Sequence, residues 1–416
     1  MTTKTASSPG NATAPGDPAS KKRTRQFAHK AFQICVIGHL YIGWRLLPDL
    51  PIGTTGMVAA GLFLVFTNLL VPYGTMARRF VEEPKMVDRL VWVGGLTMGW
   101  FSSLLILTII RDLVLFVPSV AAWRADSAVT VIAITFAVTV IGFVNARRTA
   151  KVRWVNIAIN KLPEPLKGFT IVQVTDIHVG STIKGDYVQG IVNRVNSLNA
   201  DLIAITGDVV DNTVEALKQH TAPLGKLRAH HGSYIVTGNH EYYSGAEEWI
   251  AEFRRLGLQP LLNDHIVIDH NGAQLTIAGI NDYSAISRDP AETSAELHGS
   301  DPVKALNGSP EKAPKILLAH QPRSATAAAE AGFDLQLSGH THGGQFWPWN
   351  LFIRMYQPYT AGLHRLGKLW IYISRGTGYW GPPKRFGAPS EITLIRLWPA
   401  RTPRQGHRHG RTGRSG

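Results

Sequence analysis

The sequence predicts an α/β domain preceded by an all-α membrane region. Three observations carry this. Residues 30–145 concentrate long apolar runs, residues 152–398 alternate short strand-type runs with helical stretches, and both ends are polar and basic. With 416 residues the chain has room for two or three domains and a large core. Four regions follow from this: a basic tail over 1–29, rich in Ser, Thr, Ala, Pro and Gly and expected to be disordered; a membrane domain over 30–147; an α/β domain over 152–398; and a second disordered basic tail over 399–416.

Four spans are expected in the membrane domain, over 30–48, 54–76, 90–110 and 128–145, each near the length of about 20 residues that crosses the hydrocarbon core. The first is the weakest, with Arg45 and Asp49 at its end and Pro48 set to stop a helix. Arg111 and Asp112 interrupt any extension of the third toward Val117. "KKRTR" at 21–25, the 77–89 loop with Arg78, Arg79, Lys85 and Arg89, and the segment with Arg147, Arg148, Lys151 and Arg153 all fall on one side if there are four spans. Cytoplasmic loops collect Lys and Arg, so the α/β domain is expected to face the cytoplasm, at a multi-pass cell-membrane protein. Miscounting one span reverses this side.

From 152 onward the texture changes. "VRWVNIAI" alternates like a strand, and "FTIVQVTD", "DLIAITGD", "SYIVTGN", "QLTIAGIND", "KILLAHQ", "FDLQLSGH", "LWIYISRG" and "EITLIRL" are short apolar strand-type runs. Val188, Ile191, Val192, Val195 and Leu198 mark an amphipathic helix between the first two of these eight, and further helices are expected near 213–229, 244–256 and 322–331. Residues 284–314 are polar and read as a surface excursion bordering the site. The net charge of +14 sits in patches, which suits an anionic membrane surface or nucleic acid. Cys35 is the only cysteine, so an intramolecular disulfide and a cysteine metal cluster are both excluded.

The strand ends carry the chemistry. They close on Asp176 and His178 ("TDIHVG"), Asp208 and Asp211 ("TGDVVD"), Asn239 and His240 ("TGNHEYY"), His320 ("LLAHQP"), and His340 and His342 ("LSGHTHGGQ"). Polar residues at the carboxyl ends of successive strands converge on one sheet edge, where open α/β folds place ligands. This inventory suits two divalent ions: Asp176, His178 and His342 for one, Asn239, His320 and His340 for the other, and Asp208 bridging both. Imidazole and carboxylate without thiolate favour Mn²⁺, with Fe or Zn²⁺ as alternatives. Two such ions about 3.5–4 Å apart activate a bridging water and clamp the oxygens of a displacement at phosphorus. Alternation at a strand end would send His340 and His342 to the same side.

The ordered set "DIH", "GDVVD", "GNHE", "AHQP" and "GHTHGGQ" closely resembles the calcineurin-like metallophosphoesterase superfamily over residues 168–397. The long "SGHTHGGQ" and the ending "ISRGTGYWGPPKRFGAPSEITLIRL" look more like its bacterial membrane-associated YaeI/YkuE-like branch, which includes transmembrane proteins with a metallophosphoesterase domain. The resemblance implies an αββα sandwich, the seven metal ligands named above, and His240 beside the leaving group, oriented by Asp211. One departure matters: "GDVVDNT" lacks the arginine that protein Ser/Thr phosphatases of this superfamily carry after the second motif, which weakens that reading.

The expected function is a membrane-anchored dimetal phosphohydrolase that cleaves a phosphoester or pyrophosphate bond by attack of a metal-bridging hydroxide. By analogy with relatives acting on UDP-diacylglucosamine, a lipid-linked substrate is attractive. The alternatives are a phosphodiesterase of soluble nucleotides and a non-catalytic membrane sensor or scaffold; membrane attachment disfavours nucleic acid as the partner, and nothing in the sequence specifies a protein partner. Asp211 has a second reading, as a cap for the following helix near "NTVEAL". Arg375, Lys384 and Arg385 either attract an anionic substrate or stabilise a turn, and Trp347 and Trp349 either line a groove, sit at the membrane interface or simply pack.

Overall fold

A computed structural model describes residues 18–287, 294 and 296–400. Four helices open the chain: α1 (Pro18–Leu46), α2 (Thr54–Met76), α3 (Pro84–Leu115) and α4 (Arg124–Arg147). Residues 18–29, expected to be disordered, instead continue the first helix; residues 1–17 and 401–416 of the two tails lie outside the described residues. Among the described residues, α2, α3 and α4 are long and apolar enough to cross a membrane. The expectation was four such runs; α1 is not in this set, since its first half carries "KKRTR" and its last turn Arg45.

The third helix runs straight through Arg111 and Asp112 because both charges are paired. Arg111 bonds Asp49 and donates to the Arg45 carbonyl, while Asp112 accepts from Arg45 Nε and Tyr41 Oη at 2.6 Å each. The helices α2 and α3 cross at Gly74 and Gly94, where a Cβ on either would fall about 2.5 Å from the other's Cα, so only glycine allows this approach. Phe66, Phe136 and Ile141 stay exposed on the bundle, the pattern of a surface that faces lipid.

The α/β domain contains β1 (Lys151–Ile159), β2 (Thr170–Val174), α5 (Gly185–Asn196), β3 (Leu202–Thr206), α6 (Val214–Thr221), β4 (Ser233–Val236), α7 (Asn239–Ser244), α8 (Ala246–Arg255), β5 (Gln259–Pro260), β6 (Asp264–His270) and β7 (Ala273–Gly279). It continues with α9 (Pro302–Ala305), β8 (Lys315–Leu318), α10 (Ala325–Ala331), β9 (Leu335–Ser338), α11 (Trp349–Phe352), β10 (Gly362–Leu366), β11 (Leu369–Ile373) and β12 (Glu391–Pro399). Two six-stranded sheets result, ordered β1-β12-β2-β3-β4-β5 and β10-β11-β9-β8-β7-β6. Both are mixed: β2, β3, β4 and β5 pair in parallel, as do β7, β8, β9 and β11, with antiparallel pairs at β12–β2, β6–β7 and β10–β11.

Alternation along the strands decides the layers. Ile171, Leu202, Ala204 and Val236 of one sheet meet Leu275, Ile277, Ile316, Leu318, Leu335 and Leu337 of the other in the central core. The opposite face of the first sheet (Val172, Val174, Ile203, Ile205, Ile235) packs on α5, α6 and α8 through Val188, Ile191, Leu217, Trp249 and Phe253. The outer face of the second packs Leu317, Ala319, Ile371 and Ile373 on α9 and α10. The chain thus forms the αββα sandwich. The helix expected over 244–256 is α8, and Gly245, which holds φ at 93°, separates it from the short α7 that begins on Asn239.

Candidate metal centre

The loops that leave β2, β3, β4, β8 and β9 bring all seven expected ligands and the His240–Asp211 pair together. His340 and His342 do not lie on a continuing strand, because β9 stops at Ser338. Asp176, His178, Asp208, His340 and His342 instead all hold left-handed backbone, with φ between 51° and 70°. L-residues avoid this region, and its clustering at one site is strain held in place by the surrounding fold. Gly339 permits a close approach: a Cβ there would lie 2.2 Å from both Asp176 Oδ2 and Thr175 Oγ1.

Three groups of side chains converge: Asp176, His178 and His342; His178, Asp208 and His240; and Asp208, His320 and His340. His178 Nε2 is 3.0 Å from His342 Nε2 and 3.9 Å from Asp208 Oδ2, and His342 Nε2 is 3.5 Å from Asp176 Oδ1. On the other side, His320 Nε2 is 3.1 Å from Asp208 Oδ2, 3.2 Å from Asn239 Oδ1 and 3.3 Å from His340 Nδ1. A single oxygen of Asp208 therefore faces both groups.

The donor set fits divalent cations. His320 donates its Nδ1 proton to the Thr206 carbonyl at 2.8 Å, which turns the Nε2 lone pair toward the oxygens of Asn239 and Asp208. His178 likewise uses Nδ1 on Asp211 Oδ1 at 2.8 Å and leaves Nε2 to face Asp176 and Asp208. Acceptors that face acceptors in a buried pocket require a positive charge between them. The demand shows in His320 itself: burial disfavours its proton, yet the Asp208 carboxylate beside it raises its pKa well above the ordinary value. Burial and His320 lower His340 to about 3, and burial and Arg385 lower His342 well below the ordinary imidazole range, so both rings are neutral, as ligation requires.

Backbone amides aim the carboxylates. His340 N donates to both oxygens of Asp176 (2.9 and 3.1 Å), and His240 N to Asp208 Oδ1 at 2.9 Å. Asp211 Oδ1 accepts from His178 Nδ1 and from His240 Nδ1, both at 2.8 Å, so one carboxylate orients a candidate ligand and the candidate acid together. It does not cap the next helix, whose N-cap is Thr213. Burial opposes a charged His240, but the bond to Asp211 and the Asp208 charge prevail and raise its pKa to about 9.

Sequence reasoning gave Glu241 of "GNHE" no task. It is fully buried, and its carboxylate accepts from the amides of Gly238 (2.6 Å), Asp208 (2.9 Å), Val209 (2.8 Å) and Val210 (3.3 Å), tying the second motif to the third. The signal was its place in the motif, with four amides in reach only after folding.

Other expectations are corrected. Lys384 and Arg385 are 2% and 0% exposed with every donor engaged by protein, so neither is free to draw an anion from solvent, whereas Arg375 stays partly exposed and pairs with Glu391 through Nη1 at 2.9 Å. Trp349 donates Nε1 to Ser102 of α3 at 2.7 Å while staying 47% exposed. The helix bundle also borders the centre: Arg78, between α2 and α3, donates to the Asp211 carbonyl at 2.8 Å and to Ser181 Oγ at 3.2 Å. Trp380 and Tyr243, both exposed, flank His240 with ring centroids 5.7 and 5.4 Å away.

Comparison with known proteins agrees with this geometry. The calcineurin-like phosphoesterase family matches residues 169–344. A Danio rerio protein named transmembrane protein with metallophosphoesterase domain is 39% identical over 67% of this chain and 64% of its own length. An uncharacterized metallophosphoesterase of Helicobacter pylori (strain J99) is 39% identical over 62% of this chain and 66% of its own. The uncharacterized metallophosphoesterase YkuE of Bacillus subtilis (strain 168) is 30% identical over 57% of this chain and 81% of its own. The chain thus spans about two thirds of the length of the first two relatives and four fifths of the third. The chain belongs to the calcineurin-like metallophosphoesterase family.

Proposed function

We propose that the protein is a membrane-anchored hydrolase of phosphoester or pyrophosphate bonds that works with two divalent cations, Mn²⁺ foremost, on a lipid-linked substrate. The observation that carries the reading is the convergence of six other ligand-type residues around Asp208, beside a paired His240 and Asp211. Asp176, His178 and His342 would hold one cation, Asn239, His320 and His340 the other, and Asp208 both. Bound there, the cations supply an activated water and neutralise charge that gathers on the phosphoryl oxygens.

The chain's own residues do the rest. Asp211 fixes the His240 ring through Nδ1, which leaves the Nε2 edge toward the pocket, and the raised pKa keeps a proton available for the departing alkoxide. Arg78 steadies the Asp211 backbone from the membrane side. A lipid-linked substrate is supported by this position, because the rim of the centre is shared with the bundle through Arg78 and through the Trp349–Ser102 bond. With the basic segments around Arg78 and Arg147 beside the α/β domain, we place that domain on the cytoplasmic side of a multi-pass protein.

The test is to purify the full chain in detergent, load Mn²⁺, and compare a lipid-linked pyrophosphate in mixed micelles with soluble nucleotide diesters. Preferred turnover of the lipid is the expected result. Preference for soluble diesters would remove the lipid assignment, and activity that survives a chelator would remove the two-cation mechanism. A metal-replete chain that turned over neither class would favour a sensor or scaffold.

A further inference from the structure

We infer that Lys384 and Arg385 couple the membrane helices to the cation position that contains His342, so that the bundle is a positioning part of the metal centre as well as its anchor. The inference rests on the two-cation reading above. Lys384 projects from the α/β domain into the seam between α3 and α4. Its Nζ donates to the Gly99 carbonyl (2.8 Å), Ser103 Oγ (2.6 Å) and Thr139 Oγ1 (3.2 Å), which uses all three ammonium donors on neutral acceptors of the bundle. The seam is cut to this side chain: a Cβ on Gly142 would come within 2.7 Å of Lys384 Cγ, and one on Gly99 within 3.4 Å of its Cδ.

The next residue continues the link. Arg385 N donates to the Gly142 carbonyl at 2.8 Å, and its own carbonyl accepts from Asn145 Nδ2 at 3.2 Å, so α4 fixes its main chain on both sides. Its guanidinium is fully buried and donates to the carbonyls of His342 (3.1 Å), Arg375 (2.8 Å) and Gly378; Nη2 also lies 2.8 Å from His342 Nδ1. From α4 to a candidate ligand there is one residue.

The link is lopsided, and that is what separates positioning from general adhesion. His342 belongs with Asp176 and His178, whereas His320 and Asn239 of the other position are held by Thr206, at the end of β3, and by the start of α7. Disturbing the seam should therefore weaken one cation and spare the other. A simple packing role predicts equal effects, or none.

The experiment is Mn²⁺ titration of the full chain in detergent, with free Mn²⁺ read by electron paramagnetic resonance. Lys384→Met keeps the stem and deletes the three donors. Hydrogen-bonded partners of ligands typically govern about 10- to 100-fold in metal affinity, so the weaker end of that range is expected for one of two sites, with the other unchanged. Thr139→Val, which touches neither the site nor Arg385, should give a smaller loss at the same site, and Lys384→Arg should restore part of it. If Lys384→Met does not yield folded protein, Thr139→Val and Gly142→Ala carry the test from the helix side. Two unchanged affinities, or two equally reduced ones, would overturn the coupling. A wild-type chain that failed to take up two Mn²⁺ would instead overturn the two-cation reading on which it rests.

Discussion

Replacing Glu241 separates the scaffold of the centre from its chemistry. The carboxylate is 0% exposed and accepts from four backbone amides in two loops, so Glu241→Ala leaves four buried donors without an acceptor. Each orphaned donor costs about 1–3 kcal/mol, but water entering the space and the removal of a buried charge offset part of the sum. A net loss of about 3–5 kcal/mol is the expected size for breaking a buried charged network by removing one partner. At roughly 2–4 °C per kcal/mol for a domain of this size, the melting temperature should fall by roughly 6–20 °C. Circular dichroism melts of the full chain in detergent measure it, with Glu241→Gln, which keeps one oxygen, falling between. A shift for Glu241→Ala below about 2 °C would mean that the amides find other acceptors, and the argument would fail.

Four further outcomes are expected. Asp208→Asn should lose both cations and Asp176→Asn only one, as read by elemental analysis of the purified chains, because Asp208 Oδ2 alone faces both ligand groups. His240→Ala should lower turnover by about 10²- to 10⁴-fold with metal content unchanged, as removal of a general acid does. Since His240 is raised to about 9, its acid form persists through neutral pH and is lost as pH rises through that value; an alkaline decline in wild-type turnover that His240→Asn abolishes would mark it. Arg78→Gln should reduce turnover more than substrate affinity, since it removes support for the Asp211 backbone without touching the pocket; an unchanged rate would assign Arg78 to docking alone.

Much of the site was legible because its residue types are chemically restricted and close together in each motif. Asp176, Asp208, Asn239, His320 and His340 stand at the carboxyl ends of strand-type runs, and a parallel sheet gathers such ends whatever the spacing in sequence. Side-chain direction was not legible in the same way. The pair His340 and His342 invites a strand reading by its i, i+2 spacing, whereas the chain turns left-handed at both, a conformation that local sequence disfavours and only the packed loops enforce. Glu241 escaped for a related reason: a carboxylate next to a histidine looks solvated until the fold surrounds it with amides. The edge strands β6 and β10 were missed because charged and polar residues break their apolar alternation, and Val267 and Leu363 remain partly exposed even in the fold.

The hardest residues to read were those that serve two domains. Lys384 and Arg385 form a basic pair in a glycine- and proline-rich loop, which sequence alone leaves open between a substrate contact and a turn. Here the acceptors for Lys384 come from Gly99, Ser103 and Thr139, more than 240 residues earlier, so no window of sequence contains the partnership. The same holds for the basic loops. Arg78 and Arg147 count toward membrane orientation by charge alone, yet Arg78 is spent on Asp211 and Ser181, and Arg147 donates to the Thr182 carbonyl at 3.1 Å and to Tyr379 Oη at 3.3 Å. Charges that dock a domain would be kept on that side for the docking alone. The proposed orientation is therefore better argued from the residues left over, Lys85 and Arg89 in the first turns of α3 and Arg148, Lys151 and Arg153 after α4, none of which bonds the centre. These flank the α/β domain in the chain, and by the charge rule alone they support the proposed cytoplasmic side without drawing on the docking contacts, which fix the domain to the bundle and carry no information about the side.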